Sequence, residues 1–129
     1  MIVLTENYGH TIENLEIYQV SLKISALAWE IYKKLPNNFQ YHIGNQFLDA
    51  ADSIGANISE GYGRFHFKES INFNNYARGS ATETSFWTSR LLERNLIIES
   101  DFNELSQLIK TLTMKINAYN NYLRKKAKN

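Results

Sequence analysis

The segment GANISEGYGRFH, Gly55–His66, contains three glycines followed by an arginine. A cation directly after glycines, as in Gly61, Gly63 and Arg64, suggests a loop that binds phosphate. A phosphate-binding loop precedes a helix, however, so that backbone N–H groups face the anion. Here the glycines follow an amphipathic run, and glycine just past a helix usually forms its left-handed C-terminal cap. The segment is therefore interpreted as the end of one helix and the turn into the next.

On both sides of this turn, apolar residues recur at spacings of three and four, which is typical of helices packed on one face. The pattern predicts helices at about residues 14–35, 41–62, 67–95 and 100–125. Pro36 ends the first of them, and Asp101 with Glu104 resembles a capping box at the start of the fourth. No long segment alternates apolar and polar residues as a half-buried strand does. The predicted fold is all-α, an antiparallel up-and-down four-helix bundle.

The chain has 129 residues, a net charge of +1 and no cysteine. This length predicts a single domain over residues 1–129, with 1–12 as a loose N-terminal arm and 124–129 as a frayed basic tail. The absence of cysteine excludes disulfides and thiolate metal sites and fits a cytoplasmic protein. No apolar run approaches the roughly 20 residues that cross a bilayer, and the N-terminus does not resemble a secretory signal.

Metal and acid–base chemistry find little support in the sequence. A di-iron bundle needs Glu-x-x-His on two helices, and no acidic residue here has a histidine three positions later. His10, His42 and His66 fall in predicted loops or in the arm. We therefore predict no metal, no cofactor, no catalytic residue and no small-molecule substrate.

Two carboxylates on predicted helices have a structural interpretation. Glu60 and Glu83 could do acid–base work only beside a nucleophile or a pocket, which the sequence does not indicate. Because a charge next to apolar residues needs partners, we expect Glu83 to be a hydrogen-bonded group in the core or at an interface. Asn57 and Arg64 are the expected partners of Glu60 at the turn.

Basic residues are the remaining candidates for a binding site, and they intermix with Phe65, His66 and Phe67. Arginine beside aromatic rings can hold phosphate and stack on bases. With a net charge of only +1, the alternative is that these residues keep the helices soluble. A ring of identical subunits would repeat a weak basic patch around one axis. The candidate nucleic-acid contacts are Arg64, Lys68, Arg78, Arg90 and Arg94.

The third predicted helix carries two stripes, although a lone bundle needs one apolar seam per helix. The stripe assigned to the core is Phe73, Ala77, Ser80, Thr84, Trp87 and Leu91; the second is Tyr76, Gly79, Glu83 and Phe86. The second stripe predicts a protein–protein surface, with Tyr76, Gly79 and Phe86 in an oligomer interface. On the second helix, the small residues Ala51, Gly55 and Ser59 form a ridge that allows another backbone to come close.

Two motifs at consistent spacing resemble the 23S ribosomal RNA intervening-sequence protein family, over about Leu15–Leu123. The family pattern Asn-Ile-x-Glu-Gly-x-Gly-Arg is matched by Asn57, Ile58, Glu60, Gly61, Gly63 and Arg64, and its Gly-Ser with a later Glu is matched by Gly79, Ser80 and Glu83. Members often have proline where this chain has Gly55.

The resemblance implies a cytoplasmic homopentamer of four-helix bundles with no established enzymatic activity. A related group, the accessory proteins of diversity-generating retroelements, binds nucleic acid and a reverse transcriptase. The leading hypothesis is therefore a non-enzymatic oligomer that binds RNA, DNA or a nucleoprotein partner. The alternative is a scaffold whose partner is another protein. An enzyme would need a carboxylate-lined pocket around Glu60 and Glu83.

Overall fold

The computed structural model of the chain describes residues 11–128, so most of the predicted N-terminal arm, His10 included, lies outside the described residues. Four helices dominate: α1 (Glu16–Lys34), α2 (Asn45–Tyr62), α3 (Phe67–Glu93) and α4 (Glu99–Ala127). A 3₁₀ turn, Ile12–Asn14, precedes α1, and an α-helical turn, Asn37–Phe39, runs into a π-helical turn, Gln40–Gly44, which leads into α2. The prediction of an all-α four-helix bundle is confirmed.

The helices pack in the order α1, α2, α3, α4 around a square, with α4 closing against α1 and the most extensive contact between α2 and α3. Contacts between side chains show that neighbours are antiparallel. The Ser25 hydroxyl donates to Asp52 and the Tyr32 hydroxyl to Asn45 between α1 and α2. Large apolar side chains fill the centre, among them Ile24, Phe47, Ile54, Leu105 and Ile116.

Gly61 lies at a tight contact between α2 and α3. A Cβ at this position would lie 2.8 Å from the Phe73 Cβ, and the Ser70 hydroxyl donates to the Gly61 carbonyl at 2.8 Å. Gly63 ends α2 with φ −79° and ψ −2°, which is right-handed backbone. Gly63 is thus the C-cap of α2, as predicted, but the prediction that the cap is left-handed is wrong. Gly61 is required because a side chain would separate the two helices.

The inner face of α3 differs from the sequence prediction. Its buried residues are Ser70, Asn74, Ala77, Ala81, Thr84, Thr88 and Leu91. Phe73, Ser80 and Trp87, assigned to the core from the sequence, are only half-buried. Small and polar residues face inward because α2 lies so close, and the larger rings pack at the edge of the interface.

The polar residues of this face are all hydrogen-bonded. The Asn74 amide donates to the Asn120 side-chain oxygen at 2.9 Å, and the Asn120 amide donates to the Asn75 oxygen at 3.0 Å. Thr84 and Thr88 donate to carbonyls one turn earlier. Within residues 11–128, every buried side-chain nitrogen and oxygen has a hydrogen-bond partner. The asparagine network ties α3 to α4 in one register, because a shifted pairing would leave amides unbonded.

The turn from α3 to α4 is closed by a Schellman motif. Asn95 has φ 58°, its N–H donates to the Leu92 carbonyl at 3.0 Å, and the Leu96 N–H donates to the Leu91 carbonyl at 2.9 Å. Asparagine tolerates this left-handed conformation better than most residues. Here the chain uses asparagine where glycine is the commoner choice.

Both ends of α4 differ from prediction. The helix begins at Glu99 after Ile98, which makes no side-chain cap, so the capping box of Asp101 and Glu104 is wrong. Asp101 instead accepts a 2.9 Å ion pair from Lys34 on α1. At the other end, the residues expected to fray, 124–129, are helical as far as Ala127.

Candidate nucleic-acid interface

The turn between α2 and α3 is organised around Arg64. Its guanidinium lies 2.8 Å from the Glu60 carboxylate, 3.6 Å from that of Glu69, and 4.6 Å from the centre of the Phe73 ring. The predicted pairing of Arg64 with Glu60 is confirmed. Asn57 is not part of this group, because its amide donates to the Ser53 carbonyl at 2.9 Å. Because two carboxylates neutralise its charge, Arg64 stabilises the turn and adds little positive potential to it.

Beside Arg64, the turn presents an exposed aromatic pair and a free lysine. Phe65 is 79% exposed, and its ring meets the His66 ring edge-on at 5.0 Å. Lys68, in the first turn of α3, is exposed and makes no ion pair within residues 11–128. An exposed ring next to a free cation is the combination that stacks a base and holds its phosphate.

The charges of α4 are segregated along its length. Its first six residues hold Glu99, Asp101 and Glu104 and no cation. After Glu104 there is no acidic residue, and the cations are Lys110, Lys115, Arg124, Lys125, Lys126 and Lys128. Near the end of the helix, the Lys126 ammonium lies 5.5 Å above the exposed Tyr122 ring. The second half of α4 is thus a source of positive potential that no neighbour on the same helix cancels.

The register of α3 against α4 brings these cations to the turn. Asn74 and Asn75 bond Asn120, and in an antiparallel pair this alignment places Lys68 about level with the last turn of α4. We call this end of the bundle the basic end; it consists of Lys68, Arg124, Lys125, Lys126 and Lys128. Of these, the Arg124 guanidinium donates to the side chain of Asn121 at 2.8 Å, and the four lysines donate to no side chain within residues 11–128.

The other predicted contacts lie elsewhere on α3. The Arg78 guanidinium donates to Asn117 on α4, and Arg90 pairs with Glu93. Arg94 follows the end of α3. Lys68 and Arg90 are separated by about 33 Å along the helix. A single chain therefore places Arg64 and Lys68 at one end of the bundle, and Arg90 and Arg94 at the other.

A half-buried phenol lies next to the basic end. Tyr119 on α4 has its pKa raised to about 12, first because burial disfavours the charged phenolate and then because Tyr62 and Tyr122 are close.

The second stripe of α3 faces solvent. Tyr76 and Phe86 are 58% and 54% exposed, and a Cβ at Gly79 would meet no atom within 4 Å. Glu83 is exposed and accepts the Trp87 indole N–H at 3.1 Å, so the expectation that it is buried in its own chain is wrong. The stripe is an apolar surface that nothing within residues 11–128 covers, and the predicted interface of Tyr76, Gly79 and Phe86 stays a prediction. Ser80, the remaining motif residue, is half-buried at the edge of this stripe.

A groove lies between α1 and α2, on another side of the bundle. It has a volume of about 400 Å³ and is floored by small residues, because Gly55 brings its backbone against Ser21. A Cβ on Gly55 would lie 2.9 Å from the Ser21 hydroxyl oxygen. The predicted ridge therefore serves the contact of α2 with α1. Its outer members line the groove, which consists of Tyr18, Ser21, Leu22, Ser25, Asp52, Gly55, Ala56 and Ser59.

Neither carboxylate considered for catalysis, Glu60 or Glu83, lines this groove. Both are exposed, and each has the partner given above. Among residues 11–128, no three His, Asp or Glu side chains come together as metal ligands would. None of the helices in that range combines the length and the hydropathy needed to cross a bilayer.

Comparison with known proteins identifies the family of the chain. A model of the 23S rRNA-intervening sequence protein family matches residues 13–118, from the 3₁₀ turn to the middle of α4. The chain belongs to the 23S rRNA-intervening sequence protein family. Both motifs that suggested the family, around Gly61 and around Gly79, lie within the matched range.

The fold of this family member is similar to a crystal structure from Bacteroides thetaiotaomicron, a protein of unknown function from the S23 ribosomal protein family. The two share 24% sequence identity with a TM-score of 0.75, over 81% of this chain and 97% of the other. This likeness concerns the fold alone. No curated protein matches the chain.

Proposed function

We propose that this protein is a non-enzymatic, self-assembling bundle that binds nucleic acid, RNA in particular, through its basic end. The observation that carries the proposal is the second half of α4, where cations follow one another without an acidic residue. Phosphate contacts by Lys and Arg supply most of the affinity of sequence-independent binding. The exposed Phe65 and Tyr122 rings offer stacking surfaces for unpaired bases.

Self-association is the second part of the proposal. The α3 stripe presents bulky rings, Tyr76 and Phe86, whereas most residues that line the groove between α1 and α2 are small. We infer that the stripe of one copy docks in the groove of the next. The two surfaces differ and lie on different sides of the bundle, so the contact is head-to-tail, and it forms a ring when the rotation from one copy to the next closes. A ring, a pentamer by the family resemblance, gathers the basic ends on one face.

The nucleic-acid proposal is tested by fluorescence anisotropy with the full chain and labelled single-stranded RNA and DNA of equal length. We expect the association constant to fall steeply between about 50 and 200 mM salt, because bound phosphates release counterions. The variant Lys125→Gln/Lys126→Gln removes two charges from the basic end and should lower the slope of log K against log salt by about two.

The matched control is Lys23→Gln/Lys33→Gln, which removes two exposed lysines of α1 and should leave the salt slope near that of the wild type. Binding that ignores salt, or equal losses in both double variants, would exclude the basic end as the binding surface. A protein partner that co-purifies with a preparation free of nucleic acid would favour the scaffold alternative.

Assembly is measured separately, by light scattering on the wild type and on Tyr76→Ser/Phe86→Ser. We expect a closed oligomer for the wild type and a monomer for the variant. A monomeric wild type at micromolar concentration would remove the ring from the proposal and leave nucleic-acid binding to the single chain.

A further inference from the structure

A second cleft, of about 470 Å³, lies at the end of the bundle opposite the basic end. This volume is within the range of small-molecule sites, which combine apolar or aromatic walls with a few polar groups. The cleft is bounded by the connection from α1 to α2 on one side and by α3 on the other. Its lining residues are Phe39, Tyr41, His42, Ile43, Gln46, Trp87 and Arg94.

The wall on the α2 side is the π-helical turn, Gln40–Gly44. Such turns are rare, and they are frequently found at functional sites. This one is held from both ends, because the Gln40 amide donates to the Tyr32 carbonyl and the Tyr32 hydroxyl to Asn45, both at 2.9 Å. A Cβ on Gly44 would lie 3.0 Å from the Phe39 carbonyl oxygen. The turn is thus packed in place, and the cleft is formed before any ligand arrives.

The opposite wall is the Trp87 ring, whose orientation is also fixed. Its indole N–H donates to Glu83 at 3.1 Å, and the Phe86 ring meets it edge-on at 4.9 Å. An indole that is half-buried and held in this way offers a flat surface on which another flat ring can stack.

The polar side chains that line the cleft have no partner among the described residues. Within residues 11–128, the side chains of Tyr41, His42, Gln46 and Arg94 make no hydrogen bond or ion pair. Arg90, one turn before Arg94, is by contrast paired with Glu93. No lining residue is acidic. Four unpaired donors around an aromatic cleft without a carboxylate favour an anion.

We propose that this cleft binds a flat aromatic ring that carries a phosphate, the chemistry of a nucleoside monophosphate. The ring stacks on Trp87, and the phosphate is held by Arg94, whose guanidinium suits bidentate contact with phosphate oxygens. Tyr41 and Gln46 supply hydrogen bonds to the edge of the ring. This site is separate from the basic end and does not depend on the function proposed for it.

The test uses Trp87 as the reporter. The chain has two tryptophans, and Trp29→Phe leaves Trp87 as the single one. Uridine monophosphate is titrated into this full-length variant, with uridine and inorganic phosphate as partial probes. We expect saturable quenching by the monophosphate, and binding of either partial probe at least about tenfold weaker, because each makes only part of the contacts.

Arg94→Gln in the same background should weaken binding of the monophosphate by about tenfold or more. Lys33→Gln, which removes an exposed charge at the same end of the bundle, should leave it unchanged. Absence of quenching by the monophosphate, or wild-type affinity in Arg94→Gln, would overturn the proposal. An adventitious electrostatic site would lose equal affinity in both variants, and that result would overturn it too.

A last experiment asks whether the ligand is a free nucleotide or the phosphorylated end of a strand. A 5′-phosphorylated single-stranded oligonucleotide is compared with the same strand ending in a 5′-hydroxyl. Preference for the phosphorylated strand over the free monophosphate would assign the site to a strand end, whereas tighter binding of the monophosphate would assign it to a free nucleotide. Either result supports the cleft as a site for a phosphorylated ring.

Discussion

Substitution of Gly61 by alanine tests the close approach of α2 and α3. The new methyl group would lie 2.8 Å from the Phe73 Cβ and 3.1 Å from the Ser70 carbonyl oxygen. Neither atom is the far end of a flexible side chain, so the helices must move apart. Overpacking of this kind costs about 1–3 kcal/mol. Separation of the helices also weakens the Ser70 hydrogen bond to the Gly61 carbonyl, at about 1 kcal/mol.

Helix propensity acts in the opposite direction, because alanine is favoured over glycine by at most about 1 kcal/mol within a helix. The expected result for Gly61→Ala is a free energy of unfolding lower by about 1–3 kcal/mol. The same substitution at Gly79 meets no atom within 4 Å. Gly79→Ala should therefore raise the free energy of unfolding by about 0.5–1 kcal/mol.

Both variants are measured by urea denaturation followed by circular dichroism, with linear extrapolation. Protein concentration is kept equal, because assembly changes the measured stability. A general difference in helix propensity between glycine and alanine would change the free energy of unfolding in the same direction at both positions. Changes of opposite sign therefore point to the local contacts of Gly61. A Gly61→Ala protein as stable as the wild type would refute the argument from helix contact.

Three further changes test other parts of the bundle. Asn120→Ala leaves the amides of Asn74 and Asn75 without their partner and should lower the free energy of unfolding by about 1–3 kcal/mol; an unchanged urea midpoint would contradict the network. Asn95→Ala should cost about 1 kcal/mol because of the left-handed backbone, and Asn95→Gly should cost nothing, so equal midpoints would argue against that conformation. Tyr119 has a pKa of about 12 in the folded protein and about 10 in the unfolded chain. Its contribution to the free energy of unfolding is therefore fully present below pH 10 and is lost as pH rises towards about 12. Urea denaturation across this window should show the wild type losing stability relative to Tyr119→Phe, and parallel curves would disprove the shift.

The sequence predicts the fold well where core positions hold large apolar residues. On α1, Ile17, Ile24 and Ile31 are spaced by seven and are all buried. The same reasoning fails on α3, whose inner face consists, apart from Leu91, of alanine, serine, threonine and asparagine. Hydropathy alone selects the larger neighbours, Phe73 and Trp87, because it does not register how close the facing helix comes.

Candidate sites divide in a similar way. The ion pair of Arg64 with Glu60 is local, at a spacing of four, and is therefore predictable. The contribution of α4 to the basic end had a clear signal in the absence of acidic residues after Glu104, although the sequence prediction chose candidates on or beside α3 and treated residues 124–129 as a frayed basic tail. The cleft beside Trp87 had no signal in the sequence. Its walls come from segments some forty residues apart, and the π-helical turn that forms one wall has no recognisable hydrophobic periodicity.

The segregation of charge along α4 has a consequence for assembly. Acidic residues at its start and basic residues at its end give α4 an electric dipole along the bundle axis. In a ring whose subunits point the same way, these dipoles lie side by side and repel. Salt should therefore promote ring formation while it weakens nucleic-acid binding. A bound polyanion would relieve the repulsion, so in the proposed assembly the ring and its nucleic-acid ligand would stabilise each other.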